Sequence, residues 1–161
     1  MFLTPLQTLP DAVTSLLGLA GGAVGAALTT LLVGAILVAL APDWARSRMD
    51  EVVERPLGSF GYGLVVLLFV VLVTVVLAIT VVGLVVALPL AIVAYLAWAV
   101  GSAVAFLAVG DRLVGSADGW AKPLLVGAGI NGLLALTGVG GVVSFCVGAA
   151  GFGAATRPYL G

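Results

Sequence analysis

The chain is dominated by one uncharged stretch. From Pro56 to Gly110 it runs for 55 residues without an Asp, Glu, Lys, Arg or His. A hydrocarbon core of about 30 Å is crossed by about 20 helical residues at 1.5 Å each. The stretch is too long for one crossing and too short for three crossings with their two turns. It predicts two membrane helices joined by a short apolar turn.

Composition extends this prediction to the whole chain. It is 63% hydrophobic and 8% charged, with a mean hydropathy of +1.34, whereas soluble domains carry about 25% charged residues. We therefore expect an all-α integral membrane protein, with the lipid bilayer as its first partner. Six basic and seven acidic residues give a net charge of −1, which argues against nucleic acid as a partner. There is no histidine and one cysteine, Cys146, so we expect no metal site, no cofactor and no intrachain disulfide.

Two other uncharged segments complete the predicted topology. The first, Ala12 to Pro42, has 31 residues, which is enough to cross the bilayer. The second, Pro123 to Thr156, has 34 residues and a glycine cluster at its midpoint, and each glycine there costs a helix up to about 1 kcal/mol. Two legs of about 14 residues would each be about 21 Å long, too short to cross. The segment predicts a C-terminal Gly-rich re-entrant helical hairpin; a fourth, broken crossing helix is the alternative.

These segments form a single predicted membrane domain over 1–161. Its three transmembrane helices lie at 12–41, 63–81 and 84–110, a short amphipathic interfacial helix lies at 44–55, and the hairpin legs lie at 124–137 and 141–155. The predicted bends fall at Gly83 and at Gly138, Gly140 and Gly141.

The polar segment after Pro42 has helical periodicity. Ala45, Met49, Val52 and Val53 recur at i, i+4, i+7 and i+8, and charged residues fill the other positions. Glu51 and Arg55 are also spaced for an i, i+4 ion pair. The pattern predicts a helix lying in the membrane interface.

The first uncharged segment carries glycines at helical spacing. Gly18 and Gly22, and Gly21 and Gly25, are each separated by four positions, a spacing that lets another helix backbone approach closely. Either the glycines pack inside the monomer or they form the face of a homo-oligomer.

The hairpin would place all six basic residues on one side of the membrane. The positive-inside rule then puts the polar loops and the C-terminus in the cytoplasm and the N-terminus outside, across the cell membrane. Four aromatic side chains would form an anchor belt at the same interface: Trp44, Tyr62, Trp120 and Tyr159.

Short motifs occur twice along the chain. Arg55-Pro56-Leu57 and Lys122-Pro123-Leu124 each open an uncharged run, and Thr80-Val81-Val82-Gly83 and Thr137-Gly138-Val139-Gly140 mark the two proposed bends. The motifs indicate a tandem repeat of two hairpins, one long and one short. Chance matches in a chain rich in Gly, Ala and Val are the alternative.

The order of these motifs resembles a known kind of membrane domain. RPLGSFGYG, TVVG, KPLL, GVGG and GAAGFGAA follow one another between about Leu40 and Ala155. The pattern is similar to the hydrophobic multi-helix domain attached to many bactofilin-like, polymer-forming cytoskeletal proteins of bacteria and archaea. This chain lacks their β-helical domain, and Pro89 follows the bend glycine by six residues where those proteins usually have a proline at once. The resemblance implies a membrane anchor or scaffold and transfers no catalytic residue.

The predicted membrane segments carry no titratable acid or base, so acid–base and proton-relay chemistry have no groups there. Asn131 is their one amide, and it must find a buried polar contact. We therefore expect a non-catalytic scaffold, anchor or accessory subunit that acts as a homo-oligomer or with a membrane-protein partner. The alternatives are an oligomeric channel or facilitator for a small solute or ion, lined by the hairpin and Asn131, and an interfacial lipid-acting enzyme.

Overall fold

The computed structural model describes residues 4–137 and 139–160, and this part of the chain is all-helical, as predicted. Its helices are α1 (Thr4–Leu40), α2 (Pro42–Glu54), α3 (Pro56–Ala78), α4 (Val81–Val114), α5 (Ala121–Leu136) and α6 (Gly140–Leu160). By length and composition, three segments could cross a membrane: Val13–Leu40, Pro56–Ala78 and Gly83–Val114. The chain is thus a membrane protein with three helices of spanning length. Gly138, one of the predicted bend residues, lies outside the described residues.

The helices are longer than the sequence predicts. α3 begins at Pro56 and not at 63, because proline is favourable at the first helical position. α4 continues to Val114, past the predicted end at 110, since a cation such as Arg112 is favourable in the last turn of a helix. α1 begins at Thr4 and not at 12, and α6 runs on to Leu160.

Packing around α4 fixes the direction of each helix. α5 and α6 both pack on α4, α3 packs on α6, and α1 packs on α5. The backbone at Gly110 lies against Pro123 and the backbone at Phe106 against Gly127, so α5 runs antiparallel to α4. Equivalent contacts make α6 parallel to α4, and make α3 antiparallel to α6 and α1 antiparallel to α5.

It follows that α5 and α6 form a hairpin with both free ends at one end of the bundle. α2 lies across that end, between the last turn of α1 and the first turn of α3. All six basic residues belong to α2, to the link after it, or to the terminal turns of α4, α5 and α6. We call it the charged end of the bundle.

The turns at the opposite end share one geometry. Thr80 and Thr137 both have extended backbone, with φ and ψ of −105° and 140°, and of −99° and 139°. The Oγ1 of Thr80 accepts a hydrogen bond from the Gly83 amide at 2.9 Å, and that of Thr137 from the Gly140 amide at 3.0 Å. Each hydroxyl also donates to the carbonyl three residues earlier.

The bend glycines Gly83 and Gly140 therefore lie at the starts of helices, where a threonine side chain accepts a hydrogen bond from the glycine amide. A Cβ at Gly83 or Gly140 would collide with the carbonyl oxygen of Leu77 or Leu134, respectively. Both glycines already belong to helices, because α3 ends at Ala78 and α4 begins at Val81, and α5 ends at Leu136 and α6 begins at Gly140. The predicted turn at Val81-Val82-Gly83 is thus displaced by about two residues, and Gly141 lies inside α6.

The interfaces α3·α6 and α4·α5 are also built alike. A Cβ on Gly63 would meet the Ala149 carbonyl, and one on Gly153 would meet the Ser59 carbonyl. In α4·α5, a Cβ on Gly127 would meet the Phe106 carbonyl, and one on Gly110 the Pro123 carbonyl. In each interface, two residues four positions apart on one helix thus pack against two residues four positions apart on the other. The contacts are between backbone atoms. Shared bends and shared interfaces both favour the tandem repeat of hairpins over chance similarity.

α2 uses the apolar face that its periodicity predicts. Ala45 is fully buried and Met49 is 5% exposed, and Met49 joins a cluster with Val104 and Leu107 of α4. The predicted Glu51–Arg55 pair is wrong. Arg55 has left the helix, with φ −134° and ψ 59°, and Glu51 pairs instead with Arg48, three residues earlier in α2, and with Arg157 of α6.

The glycine contacts can be tested by adding one methyl group. Gly63→Ala places a Cβ against backbone atoms of α6, which cannot give way as a side chain could. Overpacking costs about 1–3 kcal/mol, so we expect the thermal midpoint in detergent, followed by circular dichroism, to fall.

Gly61→Ala is the matched control, because a Cβ at Gly61 has no atom within 4 Å. It should leave the midpoint unchanged or raise it, since alanine is the better helix former. Equal midpoints for the two variants would contradict the α3·α6 contact.

Candidate functional site

A polar cavity of about 550 Å³ opens between α1, α4 and the α5–α6 hairpin. Its floor is formed by buried or half-buried groups, chiefly Thr30, Ser102 and Asn131. Its rim is exposed and includes Tyr95 and Phe145. The full lining consists of Gly25, Ala26, Thr29, Thr30, Tyr95, Trp98, Ala99, Ser102, Asn131, Gly141, Ser144 and Phe145. All of these side chains are uncharged.

Asn131 is bonded on both sides of its amide. Its Nδ2 donates to the Thr30 Oγ1 at 2.7 Å and to the Ala26 carbonyl at 3.3 Å. Its Oδ1 accepts from the Ser144 hydroxyl at 3.2 Å. The predicted buried polar contact is therefore present, and it joins α1, α5 and α6 at one point, where Asn131 is 8% and Thr30 3% exposed.

Two threonines outside the cavity bond within their own helices. Thr74 and Thr156 donate to carbonyls of their own helices at 2.7 and 2.8 Å, the usual arrangement for threonine in an apolar helix. The hydroxyls of Thr29, Tyr95 and Ser102 have no hydrogen-bond partner among the described residues. These three hydroxyls are uncommitted donors beside a satisfied amide network.

The cavity lies at a defined distance from the charged end. Thr30 precedes the end of α1 by ten residues, Asn131 follows the start of α5 by ten, and Ser102 precedes the end of α4 by twelve. At about 1.5 Å per residue, three helices independently place these groups about 15–18 Å from that end. Polar residues from separate runs are thus gathered at one level.

The predicted glycine face of α1 is bare. A Cβ added at any of Gly18, Gly21, Gly22 or Gly25 would have no atom within 4 Å, and residues 16–22 are all exposed. We call residues 16–22 the outer segment of α1. α1 meets the bundle only nearer the charged end, where Gly132 lies against Ala23 and Ala27, and Gly34 against Leu124. Packing inside the monomer therefore does not account for these four glycines.

The charged end contains an ionic network. Arg48 donates to Glu51 at 2.8 Å and to the Ala154 carbonyl at 3.2 Å, and Arg157 lies 3.5 Å from the second oxygen of Glu51. The network ties the last turns of α6 to α2. A cleft of about 600 Å³ surrounds it, lined by Asp43, Arg46, Ser47, Asp50, Glu51, Glu54, Arg55 and Arg157.

The cleft is where an interfacial enzyme would have to act. Its four carboxylates stand among three arginines, and Glu51 is held between two. In the described part of the chain no group of three or more His, Cys, Asp or Glu residues could hold a metal ion.

The four predicted aromatic anchors all lie towards the charged end. Trp44 and Trp120 are half-buried and pack on the apolar cluster beneath α2, and the Arg46 guanidinium lies 4.3 Å from the Trp120 ring centroid. Tyr62 is half-buried and Tyr159 is 73% exposed. The belt that they would form in a membrane stays a prediction.

Sequence reasoning identified Asn131 but not the side chains gathered around it. Thr29, Thr30 and Trp98 lie in other helices, and helical periodicity within one run does not show which neighbour a residue faces. One signal was present: each uncharged run has a hydroxyl or amide about ten residues from its charged end.

The Asn131–Thr30 bond can be measured with a double-mutant cycle. We expect Asn131→Ala and Thr30→Val to be coupled by about 0.6–1.7 kcal/mol, the range found for polar pairs between membrane helices. Reversible unfolding in bicelles supplies the four free energies.

Thr29→Val is the control partner, because Thr29 neighbours Thr30 but makes no bond to Asn131. A coupling energy as large with Thr29 as with Thr30 would contradict the assignment.

Comparison with known proteins yields one finding. A family model described as a domain of unknown function (DUF8173) matches residues 7–160. The match covers α1 from its second turn through α6, and with it every residue of the cavity. No curated protein and no solved structure matches the chain.

Proposed function

The chain belongs to the DUF8173 family, and we propose that its helical domain is a non-catalytic membrane scaffold or accessory subunit. It assembles with a second copy of itself through the outer segment of α1. The observation that carries this proposal is the exposure of residues 16–22, with glycines that no atom of the monomer approaches.

The chain's own interfaces support a second copy as the occupant. Where Gly63 and Gly153, or Gly110 and Gly127, face another helix, its backbone fills the space that a Cβ would take. Gly18 and Gly22, and Gly21 and Gly25, have the same four-residue spacing. The space that a Cβ would take at each of these glycines is unoccupied in the described monomer. In a bilayer, close backbone packing is a main source of helix association, because lipid offers no hydrophobic drive.

The proposal includes a placement in the membrane. The α5–α6 hairpin enters and leaves at the charged end, and α5 is about 24 Å long at 1.5 Å per residue, so we place it as a re-entrant element covered by α1, α3 and α4. The charged end, with six basic residues, then faces the cytoplasm, and the N-terminus lies outside. The sequence resemblance to bactofilin-associated membrane domains supports the proposed anchoring role.

Cross-linking in native membranes tests the assembly. In a Cys146→Ser background, Leu19→Cys should form an intermolecular disulfide on mild oxidation. Gly22→Leu fills the glycine face, and we expect it to weaken dimerisation at least about tenfold, corresponding to about 1.4 kcal/mol.

Gly129→Leu is the matched control, because Gly129 is exposed and a Cβ there also has no atom within 4 Å. It should dimerise like the parent. The proposal fails if Leu19→Cys does not cross-link, or if both leucine variants behave alike.

The polar cavity favours a facilitator as the second candidate. Its uncharged hydroxyls and amide lie about 15–18 Å from the charged end by helix rise, near the middle of a core of about 30 Å. Solute flux into liposomes, with and without the purified chain, tests this function. Flux that is faster with the protein than without it would favour the facilitator. Equal flux with and without the protein would favour the scaffold.

A further inference from the structure

We propose that the cavity around Asn131 binds a neutral, lipid-soluble molecule of the quinone class, a flat ring with carbonyl oxygens and an aliphatic tail. The inference goes beyond the assembly proposal and does not depend on it. Residues 16–22 contribute no lining residue, and of the four glycines of the α1 face one, Gly25, also lines the cavity.

The lining determines the charge of the ligand. Its side chains carry no acid and no base, and the charged groups of the bundle lie about 15–18 Å away by helix rise. Moving an unpaired charge to such a site is costly in a low-dielectric medium. A ligand that fits must therefore be neutral.

The uncommitted hydroxyls determine its hydrogen bonding. Both N–H groups of Asn131 are already donated, to Thr30 and to the Ala26 carbonyl. The donors that remain uncommitted among the described residues include the hydroxyls of Thr29, Tyr95 and Ser102. Polar groups without partners in an apolar environment favour a ligand that completes their bonds. Carbonyl oxygens accept from hydroxyls and bring no donor of their own that would need a partner.

The aromatic wall determines its shape. Trp98 lies 5.4 Å from Phe145 between ring centroids, with an interplanar angle of 31°, and both line the cavity together with Tyr95. Aromatic side chains in this arrangement favour stacking with a flat ring. A volume of about 550 Å³ lies within the range of small-molecule pockets, about 300–1,000 Å³.

The rim determines the route of entry. Tyr95 is 65% and Phe145 42% exposed, and Val142 and Leu28, the sequence neighbours of the lining residues Gly141 and Thr29, are 65% and 51% exposed. These side chains face the apolar surroundings of the bundle. A ligand that enters past them must partition into lipid, and its tail can stay between the exposed apolar side chains.

Fluorescence of Trp98 tests the proposal. In the full chain with Trp44→Phe and Trp120→Phe, reconstituted in nanodiscs of zwitterionic lipid, decyl-benzoquinone should quench Trp98 along a saturable curve. Thr29→Val and Ser102→Ala each remove one donor, and we expect each to weaken binding about 3- to 10-fold, the effect of losing one neutral hydrogen bond.

Two controls keep the result interpretable. Thr74→Val removes a hydroxyl that bonds its own helix and does not line the cavity, so it should leave the curve unchanged. Circular dichroism of each variant should match that of the parent, since neither Thr29 nor Ser102 holds another side chain. Weakening by Thr29→Val and Ser102→Ala but not by Thr74→Val supports the site.

Three results would overturn it. If quenching rises linearly with quinone concentration and does not saturate, the quinone quenches Trp98 by collision in the bilayer and has no binding site. If Thr29→Val, Ser102→Ala and Thr74→Val weaken binding equally, the quinone does not bind in the cavity. Displacement of the quinone by equal amounts of short-chain diacylglycerol, which has carbonyls but no ring, contradicts the ring assignment.

Discussion

Close approach of helix backbones at glycine is the interaction on which this fold depends. In a bilayer the surrounding lipid is itself apolar, so apolar side chains gain no hydrophobic free energy by packing between helices. Helices therefore associate through close packing and a few polar bonds. Here Gly63 and Gly153 bring α3 against α6, and Gly110 and Gly127 bring α5 against α4, with backbone facing backbone. Asn131 adds the polar bond that joins α1 to the hairpin. The shared threonine-capped bends hold each hairpin closed at the other end.

The shortness of the second hairpin explains both candidate features. α5 has 16 residues and α1 has 37, so α1 extends well past the tip of the hairpin. Around and beyond the tip, residues 16–22 are all exposed, and just below it the polar cavity opens beside Asn131. A bare glycine face and a polar cavity beside Asn131 are therefore two consequences of one architecture. The first favours assembly with another copy, and the second favours a ligand.

Much of the fold could be predicted from the sequence because lipid imposes simple rules. Uncharged runs gave the helices, the Thr-x-x-Gly motifs gave the bends within about two residues, and the i, i+4 apolar pattern gave the buried face of α2. The misses concern facing partners. Glu51 was paired with Arg55 by its i, i+4 spacing, whereas it pairs with Arg48 at i, i+3 in the same helix and, through tertiary packing, with Arg157 of α6. The GxxxG spacing drew attention to α1, yet the glycines that hold the monomer together are in the other helices. Residues in different helices meet at the cavity through helix direction and register, which periodicity within one helix does not encode.

Accessibility of single cysteines tests the placement of the second hairpin most directly. In a Cys146→Ser background, Ser47→Cys, Gly115→Cys and Tyr159→Cys would be labelled with a membrane-impermeant maleimide, on intact and on opened cells. We expect all three to react on the same side of the membrane, because α5 and α6 return the chain to the charged end. Labelling of Tyr159→Cys on the side opposite to Gly115→Cys would mean that residues 121–160 cross the membrane, which would contradict the proposed re-entrant hairpin.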